Sequence, residues 1–292
     1  MEAIRIGVIG GSGLYHMEGL EVQEERRLTT PFGDPSDDLV IGDLEGAAVA
    51  FLARHGRGHR ILPHELNFRA NIHAFKQLGV EWIVSVSAVG SMKEEYQPTD
   101  ILVPDQFVDR TRHRPDTFFG NGLVAHVSFA DPVCSMLQPM FVDAAGKAGA
   151  RVHDGGTYLC MEGPQFSTRA ESQIYRSWGV DVIGMTNLQE AKLAREAEIC
   201  YATLAMVTDY DCWHDEEADV SGHAVMEVIQ QNAATAQDVV RRIIRQLPIE
   251  RQCECATALQ TALITEPARV PPETRKNLAL LVDKYLETPT QD

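Results

Sequence analysis

The chain has 292 residues, 44% hydrophobic and 23% charged, which is ordinary globular composition and enough length for one large α/β domain. A formal net charge of -16 argues against a nucleic-acid backbone or an anionic membrane as partner, so any bound phosphate needs a local nest of N–H donors and basic groups. No apolar run approaches the roughly 18 residues of a membrane span. The opening run, residues 6–9, is too short for a signal peptide, and a cytoplasmic protein is expected.

Residues 4–9 read as a buried strand that ends in Gly10 and Gly11, and residues 47–52 as a second apolar strand. Pro63 then opens a predicted helix with Leu66, Ala70, Ala74 and Leu78 on one face, stopped by Gly79. Residues 82–86 are the next strand. Thr168 and Glu171 form a capping box opening a helix to Trp178, with Gly179 placed to end it. Residues 180–183 read as a strand. Asn187 and Glu190 have capping-box spacing and open a helix to about residue 198; residues 199–207 follow as a long apolar strand. An amphipathic helix over residues 223–247 comes next. Residues 267–272 look like a linker before a short final helix, a C-terminal extension at about 271–288. Strand–helix alternation of this kind predicts one α/β domain over 1–292, with helices on both faces of the sheet and ligands at the carboxyl ends of the strands.

The six cysteines, at 134, 160, 200, 212, 253 and 255, show no C-x-x-C spacing and no nearby histidine ligands. Free thiols and no metal site are expected.

Five segments carry candidate chemistry. Gly10-Gly11-Ser12-Gly13 after the first strand suits either an anion or a plain tight turn; it lacks the dinucleotide fingerprint and the Walker lysine. Arg54-His55-Gly56 suits an oxyanion or a salt-bridged surface turn. Residues 85–91, rich in Ser, Ala and Gly, let backbone amides face a ligand, or simply turn. Residues 161–168 place Phe166 where an aromatic ring can stack on a planar base, or pack in the core. Asp209 and Asp211 sit two apart after a strongly apolar strand. Two crowded carboxylates near an apolar wall repel, so at least one should titrate high and serve as a general acid; a metal site or an Asx turn are the alternatives.

Together these segments resemble the methylthioadenosine phosphorylases of the trimeric purine-nucleoside phosphorylase superfamily. The motifs are GGSG at 10–13, TPFGDPSD at 30–37, RHGRGH at 54–59, NFRANI at 67–72, PDQFVDRT at 104–111, EGPQFSTRAES at 162–172, MT at 185–186 and TDYDCW at 208–213. The resemblance implies a mixed twisted central β-sheet wrapped by helices. It implies a phosphate site at Ser12, Arg54, His55, Ser87, Ala88 and Thr186. It stacks the purine near Phe166, puts the ribose near Met185 and sets Asp209 and Asp211 at the adenine edge, with Asp209 as catalytic acid. Ser167 lies near the base. Gly222, Val225 and His126 of a neighbouring subunit are the expected 5′ specificity positions. Inorganic phosphate is a co-substrate, no cofactor is implied, and the expected assembly is a homotrimer or a dimer of trimers.

Departures from the family pattern bear on specificity. Gly184 and Gln165 stand where some relatives carry Asn and Arg, and Gly222 leaves space that would admit adenosine. Cys253-Glu254-Cys255 resembles a C-x-C element of heat-stable relatives. The expected reaction is phosphorolysis of S-methyl-5'-thioadenosine; a 6-oxopurine or methylthioinosine phosphorylase and a non-catalytic nucleoside sensor are the competing readings.

Overall fold

The apolar runs become the middle of one sheet. A computed structural model describes residues 3–11, 14, 17–215 and 220–286. The first half runs β1 (Ile6–Gly10), β2 (Glu21–Arg26), β3 (Leu39–Leu44), β4 (Ala47–Ala53), α1 (Phe68–Leu78), β5 (Trp82–Ser91), β6 (Ile101–Val103) and β7 (Gln106–Arg110). The second half runs α2 (Leu137–Lys147), β8 (Val152–Asp154), β9 (Thr157–Met161), α3 (Arg169–Ser177), β10 (Val182–Gly184), α4 (Asn187–Glu196), β11 (Cys200–Asp209), α5 (Gly222–Ile244) and α6 (Pro272–Leu286).

The sheet is mixed, as expected, with strand order β2-β3-β4-β1-β5-β10-β9-β7 and with β11 pairing β5 and β6. β4, β1, β5 and β11 are parallel, whereas the pairs β2–β3, β3–β4 and β5–β10 are antiparallel and β10 pairs β9 in parallel. Side chains alternate between two cores, as strand geometry requires. On one face Ile6, Val8, Trp82 and Val84 pack with Phe141 of α2 and Val239 and Ile243 of α5. On the other, Ile9 and Ile83 pack with Phe75 of α1, Leu193 of α4 and Leu281 of α6.

Four local expectations are corrected. Pro63 opens only a short turn, Pro63–Glu65, because Leu66 is extended; α1 starts at Phe68, where the Asn67 side chain accepts from Ala70 N at 3.1 Å. Gly79 ends it at φ 87, as predicted. The Thr168–Glu171 capping box forms in both directions. The second box does not: Thr186 is the N-cap of α4, and Asn187 and Glu190 point into the protein. Five strands, β2, β3 and β6 to β8, were not foreseen; β6 and β8 have only three residues each, too few for a periodic signal. The C-terminal helix is not an appendage either. Leu278, Leu281, Val282 and Leu286 of α6 are buried in the second core, so the side chains and not the linker-like composition decide its place. Residues 287 and 288 of the predicted extension lie outside the described residues. None of the six cysteines is joined in a disulfide.

Candidate active site

The parallel strands end together. Gly10 pairs with Ala53, and Ile9 pairs with Ser85, so the turn after β1, the Arg54-His55 turn after β4 and the middle of β5 meet. Arg54 is buried to 1% exposure and is held on every side. Its Nε and Nη2 donate to the Glu190 carboxylate at 2.5 and 3.2 Å, its Nη1 to Val86 O at 2.9 Å, and its Nη2 to Ser85 Oγ at 2.7 Å. Burial disfavours the guanidinium charge, but Glu190 more than restores it, and the net shift is upward. A Cβ on Gly11 would come to 3.7 Å from Nη1, so this cation lies against the glycine turn.

A polar network joins the phosphate candidates behind that cation. Ser87 Oγ donates to Asn187 Oδ1 at 2.5 Å, and Asn187 Nδ2 reaches Tyr201 Oη at 2.8 Å and Thr203 Oγ1 at 3.1 Å. Tyr201 Oη and Ser85 Oγ donate to Glu190 at 2.8 and 2.9 Å. Arg54, Ser87 and Thr186 are thereby tied to one another, since Asn187 follows Thr186 at the start of α4. The Thr186 hydroxyl makes no cap hydrogen bond. An uncapped helix N-terminus offers N–H groups and a positive dipole end to an anion. Ala88 is part of the same stretch of β5 and half-buried. Ser12 lies outside the described residues.

His55 is a neutral imidazole rather than a second cation. Burial, and then the Arg54 charge beside it, push its pKa down to about 3. Its Nδ1 lies 2.8 Å from Ile61 O; a carbonyl can only accept, so Nδ1 carries the proton and Nε2 is an acceptor. The pair Arg54–His55 therefore brings one positive charge, not two.

The carboxylates sit further along the same strands. Asp209 ends β11 opposite Gly90, after a bulge at Thr208 that re-aims its side chain. Ser87 and Gly90 are three residues apart on β5, or about 10 Å at a rise of ~3.3 Å per residue. Asp209 accepts from Thr208 Oγ1 at 2.7 Å and from Asp211 N at 2.8 Å, both of which favour the charged form. Burial outweighs them, Asp211 adds repulsion, and the pKa rises to about 6. A Cβ on Gly90 would lie 2.9 Å from Asp209 Oδ1, so glycine is what makes room for this carboxyl. Asp211 is 4% exposed at φ 53, its pKa is also raised by burial, and the hydroxyls of Ser172 and Ser167 partner its carboxyl.

Arg114, which sequence reasoning missed, organises the opposite wall. Its Nη1 donates to Met185 O at 2.6 Å and to Gln189 Oε1 at 3.2 Å; its Nη2 donates to Met161 O at 3.2 Å and to Glu162 O. It thus fixes Met185 and the loop carrying Phe166 and Ser167. Phe166 is 40% exposed and belongs to none of the buried core clusters. Gly184 has a clear structural partner: a Cβ there would lie 1.9 Å from Tyr158 Oη, so the buried phenol fills the space a side chain would need.

The expected 5′ positions are less clearly placed. Gly222 opens α5 facing open space, and Val225 is half-buried one turn on. A cavity of about 30 Å³ beside Gly11, Ser87 and Ala88 is lined by Met206 and by Ile229, Ala233 and Ala236 of α5, on the stripe that Val225 begins. His126 is exposed in a loop whose N–H donates to Ala262 O, and no described contact joins it to this site within the chain. A larger cavity of about 290 Å³, between Arg69 of α1 and Thr274 of α6, holds none of the predicted site residues.

The phosphorylase superfamily matches residues 5–245. The S-methyl-5'-thioadenosine phosphorylase of Koribacter versatilis is 61% identical, covering 96% of this chain and 96% of its own. That of Geobacter sulfurreducens is 58% identical, covering 96% and 99%. Among solved structures, a methylthioadenosine phosphorylase from an antarctic soil metagenomic library superposes with a TM-score of 0.91 at 49% identity, covering 97% of this chain and 100% of that one. Methylthioadenosine phosphorylase from Schistosoma mansoni in complex with adenine gives 0.83 at 33% identity, covering 96% and 98%.

Proposed function

From the premise that the chain belongs to the phosphorylase superfamily, and within it to the S-methyl-5'-thioadenosine phosphorylases, we propose how its own residues carry the reaction. The enzyme is a pentosyltransferase: it cleaves S-methyl-5'-thioadenosine with inorganic phosphate to adenine and 5-methylthioribose 1-phosphate. Phosphate is held at Arg54, His55, Ser87, Ala88, Thr186 and Ser12, with the α4 N-terminus behind it. Neutral His55 accepts a hydrogen bond through Nε2 from a protonated phosphate oxygen. The anion stabilises positive charge developing on the ribose and then attacks C1′.

Adenine leaves poorly as an anion, so it must gain a proton. Asp209, with its pKa near 6, supplies that proton toward N7. Asp211 accepts from the 6-amino group, which disfavours a 6-oxo purine by placing acceptor against acceptor. Phe166 stacks the base, Met185 lines the ribose, and Ser167 positions Asp211. Gly222, Val225 and a neighbour's His126 shape the 5′ end. The observation that carries this reading is the raised Asp209 carboxyl about 10 Å along β5 from the Arg54–Ser87–Asn187 network, the room of one nucleoside between acid and anion.

The expected assembly is a homotrimer or a dimer of trimers; an interface between copies is supported by Ile174 of α3 and Trp178 just after it, which are apolar and 48% and 53% exposed. The reading places the enzyme in purine and methionine salvage in the cytoplasm; no described helix is long and apolar enough to cross a membrane. Purified protein with phosphate should release adenine from methylthioadenosine, and act far more slowly on methylthioinosine and guanosine. Equal rates on the oxo-purines would remove Asp211 from its role; no adenine at all would overturn the reaction.

A further inference from the structure

Four of the six cysteines converge, although nothing in their spacing suggests it. Cys134 precedes α2, and its N–H donates to Tyr201 O of β11. Cys200 begins β11, with its N–H on Glu81 O. Cys253 and Cys255 lie on the segment after α5, where Cys253 caps a short helical turn, Glu254–Thr257. All four Sγ atoms lie within 4.8 Å of one another. Cys253 Sγ is 3.3 Å from Cys200 Sγ and 3.6 Å from Cys134 Sγ. Cys134, Cys200 and Cys255 are buried, and Cys253 is half-buried at the edge.

Two separate disulfides need only two close pairs. Here every pair is close, as the corners of one polyhedron are. A tetrahedron of sulfurs around zinc, with bonds of about 2.3 Å, has edges of about 3.8 Å. Soft thiolates in a closed, largely apolar setting select zinc among abundant divalent ions. Hence we propose that Cys134, Cys200, Cys253 and Cys255 bind one zinc ion as a structural tetrathiolate site. Binding forms four Zn–S bonds and releases the four thiol protons to solvent, leaving a centre of charge -2; no oxidant or reductant takes part.

The position of the site sets its consequence. It ties the segment after α5 to the start of β11 and to the loop before α2. Downstream, the same segment accepts His126 N at Ala262 O and pairs Leu263 with Ala125. None of the four sulfurs belongs to the reaction described above, so zinc serves stability and the packing of this segment. The proposal stands independently of the substrate.

Metal content of the wild-type protein, purified under reducing conditions without chelator, tests it. About one zinc per chain is expected, either as purified or after incubation with zinc and desalting. Cobalt added to the reduced, metal-free protein should give a thiolate-to-cobalt charge-transfer band. The Cys253→Ser/Cys255→Ser variant should hold at least about ten-fold less zinc and melt several degrees lower, with kcat within about two-fold of wild type. The cobalt spectrum of the wild type keeps the test decisive if that variant does not fold. Absence of stoichiometric zinc under both conditions, absence of the cobalt band, or disulfides in the non-reduced, alkylated protein would each overturn the site.

Discussion

A carboxyl group can donate a proton near neutral pH only where its surroundings penalise its charge. At Asp209 burial does this, against two donors that favour the anion. The protonated form is the active acid, and the protonated fraction falls as pH rises through about 6. At saturating phosphate, kcat/KM for the nucleoside should therefore decline above that pH. Asp209→Asn should lose this titration and lower kcat by about 10²–10⁴-fold, with phosphate affinity little changed. A pH profile that survives in the variant would assign the titration to another group. Arg54 illustrates the opposite requirement, a charge that must persist when buried. Glu190→Gln removes its only carboxylate partner among the described contacts and should cost about 3–5 kcal/mol, read from denaturant midpoints. Much of this end was legible as sequence, because Arg54, Ser87 and Thr186 sit in motifs just after strands. Glu190 was misread. A Ser/Thr/Asn/Asp residue three before Glu spells a cap, but one inward-facing turn of helix has the same spacing, and only burial separates the two. Arg114 carried no distinguishing signal, since it is one of three alternating arginines, Arg110, Arg112 and Arg114, and nothing local marks which of them turns inward.

Elements place these residues through backbone clearance. Gly90 lies in the middle of a three-strand contact, where β10, β5 and β11 meet. A Cβ at this position would sit 2.9 Å from Asp209 Oδ1 and 3.1 Å from Ile183 Cγ2. Gly90→Ala should push the acid out of line and lower kcat by roughly 10²-fold, while phosphate binding at Ser87 and Arg54 persists. An unchanged kcat would mean that the carboxyl has room to move without loss. The small-residue stretch 85–91 was recognised from sequence as a place where a ligand approaches backbone. That its single glycine instead accommodates a side chain from β11 follows from register, which no local pattern encodes. The long strand β11 announced itself by apolar length, whereas β5 was legible only over residues 82–86 and continues to Ser91 through residues that read equally well as a turn. Short strands such as β6 and β8 exist by pairing: β6 lies against the long β11, and β8 against β6.

At the scale of the whole molecule, two cores on opposite faces of one sheet hold the strand ends in place, and α6 belongs to the second of them. Sequence composition made α6 look detachable, since Pro267, Pro271 and Pro272 read as a linker. Contacts decide otherwise. Leu278, Leu281, Val282 and Leu286 are each no more than 3% exposed, and Tyr285 Oη donates to Glu198 Oε1 at 2.5 Å. Glu198 is itself 2% exposed and is further met by Lys284 and by Leu259 N. Removing residues 272–292 takes away four buried apolar side chains, at about 1.5–3 kcal/mol each, and leaves a buried carboxylate with one described backbone donor. The truncated chain should lose more than about 4 kcal/mol of stability in urea or fail to accumulate as soluble protein. Because no described contact joins α6 to a proposed site residue, whatever fraction stays folded should keep its kcat. A loss of less than about 1 kcal/mol would restore the helix to the status of an appendage.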